Sequence, residues 1–294
     1  MTEVAGVAAP PRRRWSPALS LPGYRRFGTV PAVDRVGAGL LVLLVIAGLA
    51  APLIAPYSPT AVSGLPFTPP LHAGHLLGTD EVGYDVLSRV LFGLRTSLIG
   101  VAIVVTSGVI VGGMIGLVAG TAGGWLDTVL MRITDLFLAL PGPLLAIAIV
   151  ASLGPSYAHT LLAIAVVWWP FYARIMRGEI RAQRARPHVE AATLAGATAS
   201  RRALRHLLPG AVPAIAVTAS LDVGNLVITL AALSFLGLGA PAPAPELGAM
   251  SARGLQYLLQ DWWIPVMPGA VIFLLALLAN MAGDAVGSVT GGKR

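Results

Sequence analysis

Long apolar stretches alternate with short polar ones along almost the whole chain. Six of them read as membrane-spanning helices, at residues 36–55, 97–119, 128–151, 159–177, 211–238 and 264–286. A run of about 20 apolar residues is long enough to cross about 30 Å of hydrocarbon as a helix. A closed β-barrel would instead need stretches of alternating polarity about ten residues long, and the sequence has none. Helices satisfy their backbone hydrogen bonds internally, as lipid requires. The pattern therefore predicts an all-α, polytopic membrane protein with about six transmembrane helices. Residues 1–35 form a basic leader and 36–55 a first anchor helix. Residues 56–96 make an outer loop, and 97–286 a five-helix core interrupted by a polar insert at 178–210. Residues 287–294 are a tail. The first apolar run exceeds the roughly 7–15 residues of a cleaved signal, so it is expected to stay as an anchor.

Within these runs, local signals shape the expectation further. Leu87, Val90, Leu91 and Leu94 sit at helical spacing, which predicts an amphipathic helix along the membrane interface. Pro241, Pro243 and Pro245 exclude a continuous helix in the second outer loop. Trp262 and Trp263 mark the interface before the last span. Pro141 and Pro170 are expected to bend the third and fourth spans. Gly108, Gly112, Gly116 and Gly120 form a ridge with four-residue spacing, which lets helix backbones approach closely in lipid. Packing within the subunit and contact with a second subunit both fit that ridge.

The 178–210 insert has its own logic. Pro187 suits the first turn of a short helix, where its missing N–H costs nothing. Glu190 in that turn favours the helix dipole. Ala191 and Ala192 give a small-sided ridge, and Gly196 can end the turn in a left-handed conformation. Thr198 or Ser200 can cap a following basic helix, which Leu208-Pro209-Gly210 is expected to end.

Composition narrows the class. The chain is 56% hydrophobic and 11% charged, against about 25% charged in soluble domains. There is no cysteine, so disulfides and thiolate chemistry are excluded. The net charge is +7, and its distribution carries the information. Seventeen of the 20 basic residues fall on one side: the leader, Arg132, the segment from Arg174 to Arg205, and the tail. Only Arg89, Arg95 and Arg253 fall on the other. The positive-inside rule then puts both termini and the insert on the cytoplasmic side. Basic residues beside spans face anionic lipid, and no nucleic-acid partner is expected.

Polar residues inside spans are the candidates for function. Thr218, Asp222, Asn225 and Thr229 share one face of the fifth span. An acidic group there marks a water-filled path or a buried partner, so the stripe is read as lining a translocation pathway, with interhelical hydrogen bonding as the alternative. Asp127, Arg132 and Asp135 read as a membrane-edge ion cluster, and Asn280 with Asp284 similarly. His72 and His75 have no further ligand nearby in sequence, too few for a zinc-like site. No metal is expected.

The spacing Glu190-Ala191-Ala192, then Gly196, His206, and Leu208-Pro209 resembles the cytoplasmic coupling loop of ABC-importer permeases, with His206 where an aliphatic residue is common. The segments His75–Asp80 and Gly83–Arg89 resemble the outer-loop signature of dipeptide/oligopeptide/nickel permeases, carried here by Gly78, Thr79, Asp80, Gly83 and Asp85. Ala232–Gly239 resembles the end of their fifth span, and Gly123–Asp127 with Met131–Asp135 their second-to-third turn. The match is closest to the second of two paired permeases and runs from about residue 20 onward. Tyr84 and Glu246-Leu247 depart from the pattern.

That resemblance implies a type I ABC-importer permease fold in a bacterial-type cell membrane. It implies pairing with a second related permease, two ATP-binding subunits holding ATP and Mg2+, and an extracytoplasmic substrate-binding protein. Glu190, Ala191, Ala192, Gly196, Leu208 and Pro209 would couple to the ATPases. Nickel chelates or haem are alternative cargoes to peptides.

The residues themselves agree with a non-enzymatic conduit. The single lysine is Lys293, and no G-x4-G-K-[ST] phosphate loop is present. H-E-x-x-H and G-x-S-x-G are also missing. A stand-alone secondary transporter would show repeated halves or a helix interrupted in mid-membrane. Neither is visible in the sequence, and the polar insert would have no purpose there.

Overall fold

A computed structural model describes residues 31–291. Most of the leader and the end of the tail lie outside the described residues. Apart from two isolated β-bridges, the regular structure is helical. The elements are α1 (Ala32–Leu49), α2 (Ala51–Ile54), α3 (Val86–Ala122), α4 (Gly124–Leu138), α5 (Gly142–Leu153), α6 (Tyr157–Arg184), α7 (Pro187–Leu194), α8 (Ala199–Arg202), α9 (Leu208–Phe235), α10 (Leu247–Gly254) and α11 (Trp263–Gly291). Five stretches are long and apolar enough to cross a membrane: α1, α3, α6, the run from α8 through α9, and α11. The pair α4 and α5 makes a sixth candidate, bent by 84°. The expected all-α architecture with about six spans is what the chain adopts.

Several boundaries differ from the sequence reading. The stretch assigned to a separate interfacial helix is the first three turns of α3, a single helix of 37 residues, about 55 Å long. Asp85 starts it, with Oδ2 accepting the Ser88 N–H at 2.7 Å. Val86, Val90 and Leu94 go into the main buried cluster. Arg89, only 3% exposed, is held by Asp80 at 3.4 Å and donates to the Pro59 carbonyl at 2.8 Å. Its charge is paired and Val86, Val90 and Leu94 are covered by protein.

The third span is broken rather than bent. Pro141 caps α5 and Pro143 occupies its first turn, and prolines cannot continue the ladder of α4. The sequence reading expected no interrupted helix, so this is a correction. Pro170, by contrast, sits inside an unbroken α6. Leu208-Pro209-Gly210 do not end a helix either. A π turn at Ala203–Leu207 joins α8 to α9, and such a widened turn lets a proline follow without closing against the preceding carbonyls.

The glycine ridge packs within this subunit. A Cβ at Gly112 would fall on the Trp169 carbonyl and lie 2.8 Å from Tyr172 Cβ. At Gly116 it would fall on the Ala173 carbonyl, and at Gly120 it would lie 2.7 Å from Ile180 Cγ2. Glycine thus allows α3 and α6 to touch backbone to backbone, the most extensive helix pairing in the fold. α9 packs on α11, and α11 on α1. A second buried cluster, around Tyr172, Met176, Ile180, Leu207 and Ile215, lies toward the end of the bundle that carries α7.

Candidate functional site

α7 forms as its sequence dictates. Pro187 and Glu190 occupy the first turn. At the far end Gly196 takes φ +77°. Its N–H donates to the Thr193 carbonyl, and the Ala197 N–H to the Ala192 carbonyl, each at 3.0 Å. That pair of bonds is a Schellman ending, which needs the left-handed residue at this position. Thr198 caps α8, accepting the Arg201 N–H at 3.3 Å, and the Arg202 guanidinium donates to Thr193 Oγ1 at 3.1 Å.

One apolar side chain anchors this unit. Val189, 5% exposed, is the buried residue of α7, and it enters the cluster of Tyr172, Met176 and Ile180. Glu190, Ala191 and Leu194 face outward, Leu194 at 83% exposed. A cavity of about 300 Å3 beneath α7 is lined by Arg184, Val189, Glu190, Thr193, Arg202 and Leu207 among others. Leu208 and Pro209 open α9 behind it. α7 is thus held to the bundle by Val189 while Ala191 and Leu194 stay exposed.

Ion pairs brace the same end. Arg177 grips Asp127 with Nε to Oδ1 at 2.5 Å and Nη2 to Oδ2 at 2.8 Å, and Arg181 donates to the same carboxylate. Arg174 reaches Asp135 at 2.5 Å. Both carboxylates of the expected cluster are thus tied across to α6, while Arg132 stays exposed. Arg184 donates to the Gly120 carbonyl at 3.0 Å, closing the turn between α3 and α4. Asn280 is not in an ion cluster: it packs on Gly224 of α9, where a Cβ would lie 2.5 Å from its amide nitrogen. Asp284 is exposed.

The stripe on α9 splits. Asp222, Asn225 and Thr229 line a cavity of about 550 Å3, together with Phe137, Trp168 and Phe171. Thr218 is not among its lining residues and donates back to the Ala214 carbonyl at 2.9 Å. Asp222 is 6% exposed and also carries the interhelical bonding set out as the alternative. Its Oδ2 accepts from Trp168 Nε1 and from the Tyr172 hydroxyl at 2.9 Å. Cavity wall and interhelical tie are one residue.

The outer-loop signature is an internal knot. Asp80 Oδ1 accepts the N–H groups of Val82, Gly83 and Tyr84 at 3.0, 3.1 and 2.9 Å. Asp85 bonds His75 Nδ1 at 2.9 Å through its other oxygen, which engages the histidine considered as a metal ligand. Thr79 donates to the Leu65 carbonyl at 2.6 Å, and Trp263 donates to the Thr79 carbonyl at 3.1 Å. Gly78 and Gly83 have φ +76° and +93°, and a Cβ on either would strike backbone carbonyls. These residues fasten the 56–85 loop onto α3 and α11. Glu246, fully buried, caps α10 by accepting the Gly248 and Ala249 N–H groups at 3.2 and 2.9 Å. Burial pushes its carboxyl above the ordinary carboxylate range, against those two bonds.

A family model described as "Binding-protein-dependent transport system inner membrane component" matches residues 112–288. The chain belongs to this family. As a member of it, this transport permease spans a membrane several times and works beside separate ATPase and binding-protein partners. Among its relatives, the probable D,D-dipeptide transport system permease protein DdpC of Escherichia coli (strain K12) is 38% identical over 259 residues, 87% of each chain. The di/tripeptide transport system permease protein DppC of Pseudomonas aeruginosa (strain UCBPP-PA14) is 41% identical, covering 83% of this chain and 82% of its own. A glutathione transport system permease protein, GsiD of Pectobacterium atrosepticum, is 40% identical over 72% of this chain and 70% of its own.

Sequence reasoning missed three neighbours of the candidate site residues in this permease. Trp168 and Tyr172 lie about fifty positions from Asp222, and no local spacing announces them. Val189 carried a signal in retrospect, as an aliphatic residue inside a polar insert. The α6 arginines were counted for topology, but their partners on α4 were not foreseen.

Proposed function

We propose that this chain is the permease subunit of an ATP-driven importer of short peptides, forming half of the translocation pathway. A second related permease supplies the other half. Two cytoplasmic ATPases, which hold the ATP and Mg2+, receive one coupling helix from each permease. An extracytoplasmic binding protein delivers cargo to the end bearing α10. Both termini lie in the cytoplasm, as the basic residues favour.

The observation that carries this reading is the placement of α7. Among the described residues nothing covers its ridge of Ala191 and Leu194, while Val189, its buried residue, seats in the cluster that contains Tyr172. Tyr172 in turn bonds Asp222 in the wall of the larger cavity. Movement imposed on α7 has a contiguous packed route to the pathway wall. The peptide relatives supply the cargo class, and no residue in the wall favours a metal chelate over a peptide.

The test is uptake of radiolabelled L-alanyl-L-alanine in cells lacking this chain. Uptake should disappear on deletion, return with the wild-type chain, and fail to return with Gly196→Asp at equal membrane abundance. Unchanged uptake on deletion would overturn the peptide reading.

A further inference from the structure

The cavity against α9 has a chemistry that the conduit role alone does not require. Asp222 is the only acidic residue in its lining, and the lining contains no lysine, arginine or histidine. Among the described residues, the ion pairs engage Asp80, Asp85, Asp127 and Asp135, and none engages Asp222. Trp168 and Tyr172, two neutral donors, converge on the same oxygen, Oδ2. The Asn225 side chain bonds the same carboxyl. A carboxylate is acceptor-only and has about four lone-pair sites, so acceptor capacity remains for an occupant of the cavity that Asp222 lines. The remaining wall includes Phe137, Trp168 and Phe171. Aromatic faces attract cations, more strongly where water is thin.

We propose that Asp222 is a transient binding subsite for the organic ammonium group of passing cargo. The carboxylate oxygen accepts from the ammonium while the aromatic wall covers the adjoining carbon atoms. Trp168 and Tyr172 are positioning residues: they fix the carboxylate in the cavity wall. The volume, about 550 Å3, lies within the range of small-molecule sites. This deepens the peptide-importer reading and rests on it, because every linear peptide with a free N-terminus carries such a group. A cationic side chain offers the same chemistry.

The complete importer is reconstituted in vesicles with wild type, Asp222→Asn or Asp222→Glu. Maximal uptake of L-alanyl-L-alanine and of L-alanyl-L-lysine is measured alongside ATP hydrolysis. Asp222→Asn should lower maximal uptake by about tenfold, the worth of one charge-assisted bond. The half-saturating concentration, set by the binding protein, should not move, and Asp222→Glu should restore much of the rate. A loss for both peptides identifies the terminal ammonium, and a loss for the lysine peptide alone identifies the side chain. Equal rates for wild type and Asp222→Asn on both would overturn the proposal.

A second measurement needs no variant. In the purified wild-type complex, a water-soluble carbodiimide labels accessible carboxylates, read out by mass spectrometry. Ethylammonium should protect Asp222 and leave exposed Asp135 labelled, whereas N-acetylalanine should protect neither. Unchanged labelling of Asp222 would overturn the proposal. If wild-type vesicles import no peptide at all, the peptide reading fails instead, and the labelling result still decides whether an ammonium site exists.

Discussion

The Tyr172 hydroxyl donates to Asp222 Oδ2 at 2.9 Å, while the Tyr172 ring belongs to the buried cluster that seats Val189 of the coupling helix. Tyr172 therefore belongs to the cluster that holds α7 and also bonds a residue that lines the larger cavity. A contact chain of this kind becomes evidence of coupling only when a perturbation at one end is read at the other.

Tyr172→Phe keeps the ring and deletes the bond. It should lower the thermal midpoint in detergent by the equivalent of about 1–2 kcal/mol and leave the fold intact. In the assembled importer it should reduce uptake per ATP hydrolysed. An unchanged ratio of uptake to hydrolysis would show that this bond carries no coupling.

Gly112 and Gly113 give a matched pair on α3. A Cβ at Gly112 collides with the Trp169 carbonyl of α6, whereas at Gly113 the nearest atom is Met176 Cε at 3.5 Å. Gly112→Ala should destabilise by about 1–3 kcal/mol through overpacking, and Gly113→Ala should be neutral or slightly stabilising, since alanine favours helix. Melting curves of the two variants decide it. Equal behaviour would mean that α3 and α6 are not in backbone contact.

A Cβ at Gly196 would meet nothing within 4 Å, while its φ is +77°, so the requirement for glycine is conformational. A left-handed φ costs a non-glycine residue roughly 1–2 kcal/mol, less for asparagine. Gly196→Asn should retain more transport than Gly196→Ala, and Gly196→Val should retain least, with the bundle's melting temperature unmoved in all three. A lowered melting temperature would place the defect in folding rather than in the coupling segment.

Glu246 gives a pH signature. Its folded carboxyl titrates above the ordinary range because burial disfavours the charge. Between the unfolded and folded titrations the native state holds the extra proton. Stability from this group is therefore fully present below the ordinary carboxylate range and declines as pH rises from there toward the raised value. Glu246→Gln, which keeps an accepting oxygen for the α10 cap, should flatten that decline. Parallel melting-temperature profiles across acidic pH for wild type and variant would contradict the assignment.

Much of this was legible in the sequence, for physical reasons that differ by element. The long helices follow from apolar length alone, and α7 follows from Pro187, Glu190 and Gly196, whose roles are set within a few residues. The helical spacing of Leu87, Val90, Leu91 and Leu94 was read as a separate helix, whereas it opens the 37-residue α3. Arg89 there is paired by Asp80, which belongs to a loop fold that sequence spacing does not reveal. Pro141 promised a kink, but the size of the break depends on how α4 and α5 pack. Asp222 was visible as a polar residue on an apolar face. Its partners on α6 were not, because helix-to-helix register is a property of the packed bundle.

The central claim is that α7 is the element through which an ATPase acts on this permease. The chain has no cysteine, so a single Ala191→Cys places one thiol on the exposed ridge. Paired with cysteines scanned over the ATPase surface in the assembled importer, it should form a disulfide with the ATPase that stops peptide uptake, and reduction should restore both. Continued ATP-driven uptake with no crosslink from this position, while one forms readily from another segment of the chain, would contradict the account.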